Sequence, residues 1–296
     1  MDDVFVAMTG PAMDQQSPAV LAWWMALSAV SVVNIALWGA EVIRLRRRTG
    51  GAVAGATRVA APGALPILAA VFVFGCAFRA FLPRAEAQRI CLYDSWISSA
   101  VLGRSVATVA ELCLVAQWTL VLGAWSVAAG SALGVGIARV LLPLIAVAEL
   151  FSWYTALTAN FIGSVFEESI WAASATLVTL ALVALWRRHD PRGRHRLGVF
   201  IVLNAAYVVF MCTVDVPMYV ARWKADQASG APTLSLREGA RDAAVRRRVT
   251  RRWEDWRQEM PWMSLYFSAG VWISIGLMAP APFVRRRPEP RTPPRA

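Results

Sequence analysis

The sequence predicts an all-α, polytopic membrane bundle of seven transmembrane helices, and three observations carry that prediction. The 296 residues are 57% hydrophobic, above the share usual in a soluble domain. Apolar stretches near the roughly 20 residues a spanning helix needs recur at 19–42, 64–82, 95–122, 138–159, 167–187, 197–220 and 262–281. The chain holds 14 Trp, and Trp23, Trp24, Trp96, Trp186, Trp223 and Trp262 fall near the ends of those stretches. Such amphipathic rings settle at headgroup level.

Residues 1–18 read as an outer N-terminal tail, 19–287 as the transmembrane domain and 288–296 as a disordered, Pro/Arg-rich cytoplasmic tail. The start Met1-Asp2-Asp3 has no basic n-region, so span 1 reads as a retained anchor, not a cleaved signal. The loop after span 1 carries Arg44, Arg46, Arg47, Arg48 and Arg58; the loop after span 5 carries Arg187, Arg188, Arg192, Arg194 and Arg196; the tail carries Arg285, Arg286, Arg287, Arg291 and Arg295. Basic residues stay on the cytoplasmic side, so the N-terminus is expected outside and the C-terminus inside, in a bacterial cytoplasmic membrane. The net charge of +11 follows from this rule, and no aromatic-plus-basic module for nucleic acid is visible.

Residues 222–261 hold ten basic residues yet belong outside by that topology. Long loops translocate largely regardless of charge. Val245, Val249, Trp253, Trp256 and Met260 recur at helical spacing among arginines, which predicts an extra amphipathic helix between spans 6 and 7, lying on the membrane or packed on the protein. Residues 226–236 read as a flexible linker into it.

Three short matches keep their order in the two halves. Ile35-Ala36-Leu37-Trp38 echoes Val183-Ala184-Leu185-Trp186; Cys76-Ala77-Phe78-Arg79 echoes Cys212-Thr213-Val214-Asp215; Trp96-Ile97-Ser98 echoes Trp262-Met263-Ser264. They suggest a 3+1+3 parallel repeat, a build that places sites at the repeat interface.

Charges inside the spans are the candidate functional residues, since each costs about 3 kcal/mol on insertion scales. Counted along the predicted spans, Arg104 lies roughly 14 Å deep and Glu149 roughly 15 Å, which predicts an ion pair near the midplane. Arg104, Thr108 and Glu111 form one stripe at i, i+4, i+7, and Glu149, Ser152, Trp153 and Asn160 lead to the outer surface. Such a track serves a solute or proton pathway and equally a hydrogen-bonded helix interface. Arg79 and Asp215, at equivalent places of the repeat, are expected to face each other as a salt bridge. Asp94, Glu167 and Glu168 open spans 3 and 5; they suit helix N-termini electrostatically or form a carboxylate ring for a cation or shared proton. Arg84, Arg89 and Arg222 flank this outer mouth and suit an anion or lipid phosphate.

Other chemistry is narrowed by what is missing. The two His residues, His189 and His195, fall in a basic loop, and the one Lys, Lys224, follows span 6. His-ligated metal or haem sites inside the bundle are therefore not expected, nor a retinal-type Schiff base. The sequence implies no metal and no cofactor. Cys76, Cys91, Cys113 and Cys212 include no CxxC and read as reduced, packed thiols. Three classes of function remain. One is a small-solute or proton-coupled transporter, with Arg104, Glu111 and Glu149 as relay and Arg79, Asp94, Glu167, Glu168 and Asp215 as outer gate. The second is a membrane enzyme acting on a lipid or lipid-linked substrate, with Asp94, Glu167, Glu168 or Asp215 as acid and base. The third is a non-catalytic receptor or subunit of a membrane complex. Membrane lipid is the common partner, and the sequence leaves the oligomeric state open.

Overall fold

The computed structural model describes residues 17–49, 63–188 and 191–278. The N-terminal tail, much of the first arginine-rich loop with Arg58, His189 and the C-terminal tail lie outside them.

The long helices are α1 (Pro18–Thr49), α2 (Ala64–Phe81), α3 (Ala100–Ala128), α4 (Ala132–Thr158), α5 (Ile162–Trp186) and α6 (Pro191–Phe210), which runs on through a π-turn, Met211–Asp215, into α7 (Val216–Ser229). Six helices among the described residues are long and apolar enough to cross a membrane, the sixth being Leu197–Ser229. The segment predicted as span 7 is helical in pieces: α10 (Met260–Leu265), a π-turn Tyr266–Gly270 and α11 (Val271–Leu277). Consecutive helices pack as neighbours from α1 to α6, and the C-terminal segment packs on α1, α2 and α3.

Two apolar cores hold the bundle. One joins α1, α2 and the C-terminal segment through Leu27, Phe72, Val73, Met263, Phe267 and Val271. The other joins the far halves of α3, α4, α5 and α6 through Leu122, Leu141, Ile145, Leu182, Leu185, Leu197 and Leu277. Polar contacts tie α1 to the C-terminal segment: Asn34 Nδ2 donates to the Phe267 carbonyl at 2.7 Å, and Trp272 Nε1 donates to Asn34 Oδ1 at 2.8 Å.

A cap of connecting segments covers the end where α3 and α5 begin. Two-residue strands β1 (Arg84–Ala85), β2 (Ile90–Cys91) and β3 (Arg248–Val249) form a small sheet in the order β1-β2-β3, antiparallel then parallel. The bundle is therefore not purely α. The predicted amphipathic helix over 245–260 is not formed. Helix α8 (Leu236–Val245) precedes it, Arg246 is extended, and only the single turn α9 (Trp253–Trp256) follows. Pairing of Arg248 and Thr250 amides with the Arg89 and Cys91 carbonyls takes the backbone bonds a helix would use. The linker expected at 226–236 is helical to Ser229, with Gly230 in the left-handed conformation at φ +64° as its stop.

Helix α8 sits directly on the end of α4. A Cβ at Gly239 would lie 2.1 Å from the Leu157 carbonyl oxygen, a backbone atom. Gly239→Ala is expected to lift α8 off α4 and lower the melting temperature of the detergent-solubilised protein by several degrees, whereas Gly136→Ala, with open space around it, leaves it unchanged. Equal melting of the two variants would contradict this contact.

Candidate functional site

The site is built from the buried ends of α3, α4 and α5. Helix α3 starts later than the predicted span 3. Ser99 caps α3, its hydroxyl accepting from the Leu102 amide at 3.4 Å, and residues 96–98 form a separate 3-10 turn. Arg104 thus lies four residues into α3, about 6 Å along it. Its long side chain reaches Glu149, nine residues before the end of α4. The expected pair forms at 3.0 Å.

That pair is part of a larger cluster. Arg104 also meets Glu111 at 3.0 Å and Glu167 at 3.6 Å. The Thr108 hydroxyl donates to Glu149 Oε2 at 2.6 Å and accepts from Trp153 Nε1 at 3.0 Å. The i, i+4, i+7 stripe read from the sequence is this contact. Glu111 was read as part of the relay, and Glu167 as part of a separate outer gate. The structure places both on one guanidinium, so Glu167 joins the relay residues in one centre.

Other predicted members move. Arg79 does not face Asp215. It pairs with Glu86 at 2.9 Å, approaches Glu111 at 3.9 Å, and lies over the Trp262 ring at 5.5 Å. Asp215 instead meets the Glu168 carboxyl. Asp94 is 69% exposed and bonds Arg247 at 3.0 Å on the cap surface. It stands before α3 begins and belongs to no gate. Asn160 closes the α4–α5 turn, its Oδ1 accepting from the Ile162 amide.

The arginines expected at the mouth divide by role. Arg84 is buried and donates to the Leu82, Ile97 and Ser99 carbonyls. It fills the space beside Gly103, where a Cβ would lie 2.3 Å from its Cδ. Burial lowers its pKa to about 10. Arg89, itself at φ +56°, donates to the last carbonyls of α4 and to Asp242. Both hold the cap, and neither lines the cavity described next. Arg222 alone of the three reaches the cavity, bonded to Gln258 and Glu259.

A cavity of about 470 Å³ adjoins the cluster. α6 packs on α5, the C-terminal segment packs on α1 to α3, and the cavity lies between these two groups. Leu203 and Tyr207 of α6 line one side; Leu265, Tyr266 and Ile273 line the other. Its apolar half runs down to Leu114, Leu141, Ile145, Val178 and Phe200. Its polar end carries Arg79, Arg104 and Arg222 against Glu86, Glu111, Glu167, Glu168, Asp215 and Glu259. That is three cations against six carboxyls.

Asp215 owes its position to a π-turn. Pro217 has no N–H, and its ring collides with the carbonyl four residues earlier in a regular helix. The turn at Met211–Asp215 sits where that conflict falls. A second π-turn, Tyr266–Gly270, faces it across the cavity; such turns recur at functional sites. Sequence reading missed Glu86, whose loop carries no periodicity, and Glu259, which falls inside the stretch read as an amphipathic helix. It also missed Tyr207 and Tyr219, which read as ordinary apolar positions. The Val216-Pro217 step was the available signal for the turn.

Six apolar spans with buried ionic side chains define a membrane-embedded helical protein. No family model, curated protein or solved structure matches the chain.

Proposed function

We propose that the chain is a seven-helix, proton-coupled transporter for a small amphiphilic cation, with α10–α11 as its seventh span and the cap outside, in a bacterial cytoplasmic membrane. The observation that carries this reading is the pair Glu168–Asp215. These carboxyls meet each other at the cavity wall, and neither forms a salt bridge with a described arginine. Two adjoining carboxylates in apolar surroundings repel, and a proton or a cationic group between them removes that repulsion. Exchange of one for the other is a coupling mechanism. The apolar half of the cavity suits the hydrocarbon part of the same solute.

The surplus of carboxyls favours this reading over a lipid-processing enzyme. A phosphate-bearing headgroup would meet twice as many carboxyls as guanidinium groups, so an anionic lipid is disfavoured.

The test is uptake of tetraphenylphosphonium into proteoliposomes under an imposed pH gradient. Wild-type protein is expected to drive uptake that collapses with the gradient, and Glu168→Gln and Asp215→Asn to lower it at least tenfold. Uptake equal to that of protein-free vesicles, or full activity in both variants, would overturn the proposal.

A further inference from the structure

Deeper than the Glu168–Asp215 pair lies a second arrangement that the transport reading leaves unused. Oxygens of Glu111, Glu149 and Glu167 come within 4.8 Å of one another, and all three residues are buried. Glu149 is 3% exposed. Its Oε2 takes Arg104 and Thr108, its Oε1 receives no donor, and its carboxyl meets that of Glu111. A buried carboxylate oxygen left without a donor is costly and calls for a partner.

The charges do not balance either. Three carboxylates face one nearby guanidinium, and Arg104 holds Glu167 only at 3.6 Å. Arg79 is engaged by Glu86 at 2.9 Å and reaches Glu111 only at 3.9 Å. Two negative charges remain, which is the charge of one divalent cation. The available ligands are all hard oxygens: three carboxyls, with the Ser152 hydroxyl beside Glu167. No sulfur or imidazole is among them. Such a set suits Mg²⁺, Ca²⁺ or Mn²⁺ and is a poor match for a soft ion such as Cu⁺.

We infer that Glu111, Glu149 and Glu167 form a divalent-cation site for a hard metal ion, with the unpartnered Glu149 Oε1 as a ligand and Arg104 balancing the remaining carboxylate. The ion would fix the ends of α3, α4 and α5 to one another. This inference stands apart from the transport reading.

The experiment is a Mn²⁺ titration of the full-length protein in detergent, followed by electron paramagnetic resonance of the free ion. One saturable site per chain is expected, displaced by Ca²⁺ or Mg²⁺. Glu149→Gln and Glu167→Gln are expected to weaken it at least tenfold, while Glu254→Gln, on the exposed cap, leaves it unchanged. Absence of a saturable site in the wild type overturns the inference and means that protons alone neutralise the cluster. A site retained in Glu167→Gln overturns it as well, and that variant decides the matter if Glu149→Gln does not fold. Binding is read without any flux, so intact Mn²⁺ binding beside absent cation uptake would count against transport alone.

Discussion

Arg104→Ala is expected to destabilise the protein by roughly 3–5 kcal/mol, the cost of leaving a buried charge without its partner. The reason is the number of groups that share one guanidinium: Glu111, Glu149 and Glu167 all lie within 3.6 Å of it. Each is buried. Thermal unfolding in detergent measures the loss. Glu149→Gln in the Arg104→Ala background should recover part of it, because the two changes act on one network. A melting temperature for Arg104→Ala within a degree of wild type would contradict the network.

The second large effect lies in the cap. Arg89→Ala is expected to cost about 3 kcal/mol, since hydrogen bonds made by charged groups contribute about 1.5–3 kcal/mol each and part of the loss is recovered by water. The side chain donates to Ala156 at 2.6 Å and Leu157 at 3.1 Å, and bonds Asp242 at 2.8 Å. It therefore satisfies the orphan carbonyls that end α4 and ties α8 to them. The variant should become sensitive to protease between residues 230 and 250, with Asp242→Asn intermediate. Unchanged cleavage in Arg89→Ala would show that α8 is held by its packing alone.

The apolar stretches made the long helices legible, because hydrophobicity over 18 or more residues has few alternatives. Helix α2 was expected at 64–82 and spans Ala64–Phe81. The Arg104–Glu149 contact was legible from depth and charge. The start of α3 was placed too early because Ser99, a capping residue, starts the helix later than the hydropathy does. The cap was misread for a different reason. The spacing of Val245, Val249, Trp253 and Trp256 is helical, yet Trp256 is buried against the bundle with its Nε1 on the Thr250 carbonyl. Long-range strand pairing overrode the local pattern. The partners of Arg79 and Asp215 were illegible because the repeat suggested that the two face each other, whereas Arg79 pairs with the loop residue Glu86 and Asp215 with Glu168.

The cavity has a floor. Beneath Leu141 and Val178 the helices close on Leu122, Leu182, Leu185 and Leu277, all nearly inaccessible. The transport proposed above would require that leucine plug to part, and the two π-turns lie in the segments that line the cavity above it.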